Sequence, residues 1–203
     1  MKDKISSLAL FCGSSDSCSS SYRVLAADLG RGCAERGITL IYGGAKLGLM
    51  YSAAEAALSK NGRVVGVIPD FFSDETVVAQ NITEQIWVKS MSERKQRMEA
   101  MADAFVILPG SLGTMDELFE IVTDAQLGMH RKPIVLLNAF GYYDGLLQQL
   151  DIFEREGFLR PFHRNLLSVA SSVDEVFEKL SGFQYENSDC WLARYTKNST
   201  AKG

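Results

Sequence analysis

The chain has 203 residues, of which 46% are hydrophobic, and its formal net charge is −4 at pH 7. This length and apolar content suffice for one sizeable α/β core but are short for two domains. The mixed charges, without a basic face, argue against a nucleic-acid partner. The first apolar run, residues 5–12, is too short to span a membrane and lacks the anatomy of a signal peptide, so we expect a cytoplasmic protein with no membrane partner. Four cysteines and two histidines show no metal-ligand spacing, so we expect no metal site.

Strand-like apolar runs alternate with amphipathic helical patterns along the chain. The predicted strands cover residues 8–11, 39–42, 63–68, 85–88, 104–108 and 133–137. The predicted helices cover residues 21–36, 47–60, 92–101, 114–128, 142–156 and 172–180. Short β-branched runs separated by helices indicate parallel strands that are buried on both faces and joined by right-handed crossovers. The sequence therefore predicts an α/β fold, a single doubly wound, Rossmann-like domain over residues 1–183 with a parallel sheet flanked by helices, followed by a polar tail over residues 184–203.

Glycine-bearing turns follow the first, second and fifth predicted strands. The first turn contains Gly13 and Ser14, the second contains Gly43 and Gly44, and the third has the sequence PGSLGTMDE over residues 109–117. All three turns would open at the same edge of a parallel sheet and outline a crevice of nucleotide size. None matches the GxGxxG or GK[ST] patterns, which disfavours an NAD-dependent dehydrogenase and a P-loop nucleotide site.

The third turn is the strongest candidate site. Free backbone N–H groups over residues 110–114 and the positive end of the following helix favour an anion such as phosphate. Glu117 lies one helical turn beyond, where a carboxylate suits chemistry on a phosphorylated sugar. Thr114 and Glu117 also fit a capping box, in which Thr114 caps the helix and Glu117 bonds back to the N–H of the cap. The sequence leaves both interpretations open.

A second cluster, MSERKQRM over residues 91–98, lies at the start of the third predicted helix. Helical spacing places Arg94, Met98 and Met101 on one face, with Met91 near its start. One interpretation is a methionine-lined core stripe with solvated basic residues. The other places Arg94 beside a phosphate and lets the methionines flank a planar base. Because a cation early in a helix opposes the helix dipole, we expect an anionic partner for Arg94.

Together these motifs resemble the LOG (Lonely Guy) family of phosphoribohydrolases. PGSLGTMDE resembles the PGGxGTxxE motif of that family, and SERK at residues 92–95 resembles its ERK segment. Further matches are YGG at 42–44, GLM at 48–50, AQLGMH at 125–130, and KP at 132–133, which leads to GYY at 141–143. The likeness runs from about residue 8 to residue 180, in the same order as in the family.

The resemblance implies a homodimer that hydrolyses the N-glycosidic bond of a purine riboside 5′-monophosphate to free base and ribose 5-phosphate, as in cytokinin activation. It implies that Arg94 and Glu117 are the catalytic pair, that residues 110–114 bind phosphate, and that Lys95 and Thr123 line the site. No cofactor is implied. Members have often been labelled lysine decarboxylases, but this sequence shows no convincing lysine context for pyridoxal phosphate. The expected substrate-binding set is Gly13, Ser14, Gly43, Gly44, Met91, Arg94, Lys95, Met98, Gly110, Ser111, Leu112, Gly113, Thr114, Glu117 and Thr123.

Two positions depart from the family pattern. Ser111 replaces the second glycine of PGG, and its Cβ is unfavourable if that residue needs a positive φ. Asp124 stands where the family often has tryptophan, so the preference for adenine-type bases is not carried over. Within the enzyme class the substrate is cytokinin-type, AMP or another nucleotide. The alternative is a non-catalytic nucleotide-binding or carrier protein on the same scaffold, which would gain little from a carboxylate near an anion.

Overall fold

The computed structural model describes residues 5–72 and 77–184. Its strands are β1 Ser7–Phe11, β2 Thr39–Tyr42, β3 Val64–Pro69, β4 Glu84–Val88, β5 Ala104–Ile107, β6 Ile134–Leu137 and β7 Leu167–Ala170. Its helices are α1 Ser20–Glu35, α2 Gly48–Ser59, α3 Met91–Met101, α4 Leu112–Leu127, α5 Asp144–Arg155, α6 Pro161–Arg164 and α7 Val173–Gly182. The predicted polar tail, except for Gln184, lies outside the described residues.

The strands form one parallel sheet in the order β4-β3-β2-β1-β5-β6-β7. The chain winds outward from β1 to β4 and then returns to place β5 on the other side of β1. This reversal creates a switch point between β1 and β5, where ligands of doubly wound sheets bind outside the carboxyl ends of the strands. The predicted Rossmann-like architecture is confirmed.

Both faces of the sheet are buried, as the continuous apolar runs of the strands predict. Leu8 and Leu10 of β1 pack on the side of α1, α2 and α7, whereas Ala9 and Phe11 pack on the side of α3, α4 and α5. This alternation follows from the two-residue period of a strand. The two apolar layers hold the central strands rigidly, so the loops at their carboxyl ends have a fixed base.

The differences from the predicted elements are local. The six predicted strands and six predicted helices are present, but β7 and the one-turn helix α6 were not predicted. Helix α4 begins at Leu112, two residues before the predicted start, and this changes the interpretation of Thr114 and Glu117. Among the described residues, no helix is long and apolar enough to cross a membrane.

Candidate active site

The three predicted turns meet at the carboxyl edge of the sheet around a cavity of about 320 Å³. Its walls come from the segments that follow β1, β2 and β5, from the end of β3 and the segment after it, from the starts of α2 and α3, and from the first two turns of α4. The hydrogen bond from Gly13 N–H to the Pro109 carbonyl (2.9 Å) joins the first and third turns across the switch point. Ten of the predicted site residues line the cavity: Gly13, Ser14, Gly43, Gly44, Met91, Arg94, Ser111, Gly113, Thr114 and Glu117.

The start of α4 decides between the two interpretations of the third turn. Ser111 occupies the N-cap position and its side chain makes no capping hydrogen bond. Thr114 is the third residue of the helix and Glu117 lies in its second turn, so the capping-box interpretation is wrong. Because no side chain caps the first turn, its backbone N–H groups remain available to an anion from outside. Ser111 has a φ of −114°, so its Cβ causes no backbone strain.

Gly110 allows the turn to close tightly on the helix. A Cβ at this position would lie 2.0 Å from Thr114 Oγ1 and 2.9 Å from Gly13 N. Any larger residue would therefore push the turn away from both the helix start and the first turn of the site.

Arg94 and Glu117 form a buried ion pair inside the cavity. Arg94 Nη1 lies 3.3 Å from Glu117 Oε1, and Arg94 Nε donates to the Val67 carbonyl at 3.2 Å. Arg94 and Glu117 are only 6% and 5% exposed. A Cβ at Gly43 would lie 1.6 Å from Arg94 Nη2, so the glycine leaves the space that the guanidinium fills. Glu117 is thus the anionic partner that the position of Arg94 predicted.

Burial dominates the electrostatics of this pair. It raises the pKa of Glu117 from 4.5 to about 7, although Arg94 partly opposes the rise. Burial also lowers the pKa of Arg94, and Glu117 counters that effect. A guanidinium stays charged under such conditions, so Glu117 is the group of the pair that titrates near neutral pH. The neighbouring Cys12 thiol has a pKa well above its usual value, mainly because it is buried, and stays protonated.

Five predicted binding residues lie outside the lining of the cavity. Met98 is fully buried in the core beside the sheet, as the interpretation of a methionine-lined core stripe predicts. Met91, in contrast, borders the cavity. Lys95 pairs with Asp116 and Glu120 on α4 and so ties α3 to α4. The remaining three are Gly110, Leu112 and Thr123, of which Leu112 and Thr123 are exposed. Asp124, the second departure from the family pattern, is also outside the lining.

An apolar part of the cavity lining was not predicted from the sequence, and we call it the apolar wall. It consists of small and aliphatic side chains and one aromatic ring: Ala45, Leu47, Met50, Ile68, Phe72, Val77 and Val78. Hydrogen bonds from Lys46 N–H to the Val77 carbonyl (2.6 Å) and from Ala79 N–H to the Gly44 carbonyl (2.9 Å) attach the segment before β4 to the second turn. The GLM match at residues 48–50 was the available signal for part of this wall.

Metal ligands do not gather at this site. Among residues 5–72 and 77–184, no group of three or more histidine, cysteine, aspartate or glutamate side chains is arranged to hold a metal ion. His130 is buried and its Nε2 contacts the Ile121 carbonyl at 2.8 Å. The charged groups that line the cavity in the described part of the chain are Arg94, Asp116 and Glu117.

The fold is shared with solved proteins of low sequence identity. A molybdenum cofactor binding protein from Rippkaea orientalis superposes with a TM-score of 0.68 at 22% identity, covering 89% of this chain and 98% of that one. The molybdenum cofactor carrier protein of Chlamydomonas reinhardtii gives a TM-score of 0.67 at 19% identity, covering 88% and 97%. These likenesses concern the architecture alone.

Sequence comparisons are more specific. A family profile described as "Possible lysine decarboxylase" matches residues 50–180. The chain is 43% identical over 176 residues to the probable cytokinin riboside 5′-monophosphate phosphoribohydrolase LOGL9 of Oryza sativa subsp. japonica, covering 87% of this chain and 78% of the relative. It is 39% identical over 182 residues to cytokinin riboside 5′-monophosphate phosphoribohydrolase LOG3 of Arabidopsis thaliana, covering 90% and 85%. The chain therefore belongs to the LOG family of phosphoribohydrolases.

Proposed function

We propose that this enzyme hydrolyses a cytokinin-type purine riboside 5′-monophosphate to the free base and ribose 5-phosphate. The observation that carries the proposal is the placement of the buried Arg94–Glu117 pair and the uncapped start of α4 in one cavity. Such a cavity offers an anion site and a carboxyl group a short distance apart. A simple carrier would need the first but not the second.

The 5′-phosphate is assigned to the start of α4. The N–H groups of its first turn and the positive end of the helix dipole both favour an anion. The Ser111 hydroxyl borders the same space and can donate a further hydrogen bond. Arg94 adds positive charge and a planar set of N–H donors, which suit phosphate or ribose oxygens.

Glu117 is assigned to the ribose. Cleavage of the C1′–N bond develops positive oxocarbenium character on the sugar, which an ionised carboxylate stabilises in a water-poor site. The same carboxylate can orient a water molecule and accept its proton as the oxygen bonds to C1′ and the base departs with the electron pair of the broken bond. The pKa of about 7 suits a group that must exchange a proton near neutral pH.

The apolar wall is assigned to the base. Met50, Ile68 and Phe72 offer it nonpolar surface in the cavity. An alkyl substituent on the exocyclic nitrogen of adenine would bury further methylene groups there, at about 0.8 kcal/mol for each CH₂. This favours a cytokinin-type monophosphate over AMP.

A substrate panel tests the proposal. Isopentenyladenosine 5′-monophosphate, AMP and their two nucleosides are incubated with the enzyme, and release of free base is followed by chromatography. Charge-assisted hydrogen bonds to phosphate contribute about 1.5–3 kcal/mol each, so both monophosphates should be cleaved at least tenfold better than their nucleosides. Equal cleavage of AMP and adenosine would overturn the phosphate assignment, and equal cleavage of the two monophosphates would overturn the assignment of the apolar wall.

We further infer that the enzyme is a homodimer and acts in the cytoplasm. Leu112 and Phe119 lie seven residues apart on one face of α4 and are 86% and 43% exposed, which is typical of a helix face that another protein surface covers. Cys12, Cys18 and Cys33 are free thiols, as a reducing compartment favours.

A further inference from the structure

Tyr142 lies outside the cavity but contacts its third turn. Its hydroxyl donates a 2.7 Å hydrogen bond to the carbonyl of Gly110, 32 residues earlier in the chain. We propose that Tyr142 is a positioning residue for the phosphate site, which acts by fixing the orientation of the Gly110–Ser111 peptide. This inference rests on the proposed function, since it takes the start of α4 as the site of the 5′-phosphate.

Peptide geometry links this hydrogen bond to the site. In a trans peptide the C=O and N–H groups point in opposite directions, and none of the described peptide bonds is cis. The Pro109 carbonyl faces Gly13 N–H, and the Gly110 carbonyl faces Tyr142. The Gly110 N–H therefore points away from Gly13, and the Ser111 N–H points away from Tyr142.

Rotation of the Gly110–Ser111 peptide would reverse this arrangement. Such a rotation changes ψ of Gly110, where no side chain opposes it, and φ of Ser111, which would move from −114° to a positive value that is unfavourable for a residue with a Cβ. The hydrogen bond from Tyr142 adds to this restraint on the peptide. The turned peptide would direct a carbonyl oxygen, instead of the Ser111 N–H, to the side where the anion binds. An oxygen there repels phosphate, so a hydrogen bond that holds the carbonyl back preserves the affinity of the site for an anion.

The structure holds Tyr142 in position for this role. Its ring packs edge-on against Tyr22 of α1 and against Tyr143, with ring centroids 5.6 Å and 4.9 Å apart. The Tyr143 N–H donates to Asn138 Oδ1 at 2.7 Å, and Asn138 Nδ2 donates to Asp144 Oδ1 at 2.8 Å. These contacts fix the loop between β6 and α5, so the hydroxyl of Tyr142 is ordered before substrate arrives, although the residue is 43% exposed.

The neighbouring tyrosine has a different task. The Tyr143 hydroxyl donates to the Leu108 carbonyl at 2.7 Å, inside the core at the end of β5. Leu108 precedes the turn and contributes no group to the start of α4, so this bond supports the fold. The Tyr143 hydroxyl also interacts with the backbone of Gly110. Only Tyr142, however, binds the Gly110 carbonyl, which belongs to the Gly110–Ser111 peptide.

Tyr142→Phe tests the inference because it removes the hydroxyl and keeps the ring. With AMP or isopentenyladenosine 5′-monophosphate as substrate, we expect KM to rise by about three- to tenfold, as the loss of one hydrogen bond in the site predicts. Inhibition by ribose 5-phosphate should weaken by the same factor. The value of kcat should stay within about twofold, because the phosphate contacts are made equally in the ground state and the transition state.

Tyr22→Phe is the matched control, since it makes the same substitution on the ring that packs against Tyr142 and should leave KM unchanged. A Tyr142→Phe variant with unchanged KM, or with a loss confined to kcat, would overturn the inference. If the variant is less stable, the rise in melting temperature that ribose 5-phosphate produces gives the same comparison. Failure of ribose 5-phosphate to stabilise the wild-type enzyme would contradict the proposed phosphate site, whereas equal stabilisation of wild type and Tyr142→Phe would contradict the role of Tyr142 alone.

Discussion

Replacing Glu117 by glutamine should stabilise the protein at alkaline pH and leave its stability nearly unchanged at pH 4. Glutamine is an uncharged mimic of the protonated acid. Because Glu117 is 5% exposed and its pKa is raised to about 7, the folded protein holds it protonated over a pH range in which the unfolded chain ionises it. Folding is therefore coupled to the uptake of a proton in this range.

The sign and size follow from that coupling. Between pH 4.5 and about 7 the folded state binds more protons at Glu117 than the unfolded state, so the stability from this group is complete below pH 4.5 and is lost as pH rises through 7. A tenfold difference in proton affinity between the folded and unfolded states corresponds to about 1.4 kcal/mol, so the loss amounts to about 3 kcal/mol. Since Glu117→Gln does not titrate, its stability relative to wild type should grow by that amount. For a domain of this size, the gain corresponds to about 6–12 °C in melting temperature.

The assay is thermal unfolding of both proteins in steps from pH 4 to pH 9 at constant ionic strength. All other titrating groups are shared, so the difference between the two melting curves isolates position 117. Glu120→Gln is the matched control, because Glu120 is on the same helix but is partly exposed and pairs with Lys95. A gain of the same size in Glu120→Gln would mean that the gain comes from removing a carboxylate from α4 and not from the burial of Glu117.

Two results would refute the reasoning. A constant difference between wild type and Glu117→Gln over the whole range would mean that burial does not raise the pKa of Glu117. A variant less stable than wild type at every pH would mean that the buried Arg94 requires an ionised partner. In that case the pair would be held together as two charges, and Glu117 would not exchange a proton near neutral pH.

Three further predictions concern activity and assembly. Glu117→Gln should lower kcat by about 10²–10⁴-fold. Wild-type kcat/KM should rise with pH through an apparent pKa of about 7, because the ionised carboxylate is the active form. A kcat/KM that falls with pH through this range would indicate that the protonated acid is the active form. Arg94→Lys should reduce kcat/KM by about ten- to a hundredfold, because lysine lacks the planar set of N–H donors. Arg97 is on an exposed face of α3, so Arg97→Lys should have little effect in the same steady-state assay. Equal losses of kcat/KM in the two variants would mean that the basic residues of α3 act together as a diffuse positive patch. Phe119→Glu should change the mass measured by light scattering from that of a dimer to that of the 22.4 kDa chain, and a wild-type protein that is already monomeric at working concentration would contradict the assembly.

The sheet and its helices were predictable because their signals are local and repeated. Each buried strand is a short apolar run, and each helix shows its own period, so every element indicates the same architecture. Strand β7 was not predicted, because Leu167–Ala170 has four residues of which only the first and last are buried, so its hydrophobic pattern is weak. The placement of the glycine turns at one edge followed from the parallel topology and needed no contact information.

The chemistry of the site depends on contacts that no local pattern contains. Thr114 and Glu117 have the spacing of a capping box, but the helix starts two residues earlier, with a leucine that is 86% exposed and a glycine. A spacing rule does not fix the residue at which a helix begins. Arg94 could be recognised as a cation in need of a partner, yet the identity of that partner depends on how α3 packs beside α4, 23 residues later in sequence.

In the proposed mechanism, catalytic and structural demands conflict at the buried pair of Arg94 and Glu117. An apolar pair of similar volume would often be as stable or more stable in such a site, because removing two charges from water costs several kcal/mol for each ion. The structure accommodates the guanidinium with specific compensations: the missing side chain at Gly43, the Val67 carbonyl that accepts from Nε, and the carboxyl of Glu117. The burial that lowers stability also raises the pKa of Glu117 to about 7 and, in the proposed mechanism, limits the access of bulk water to the glycosidic bond. A substitution that opened the cavity would lower the cost of burying the two charged groups, but it would also lower the pKa of Glu117 and admit bulk water. Stability and turnover should therefore change in opposite directions at this site.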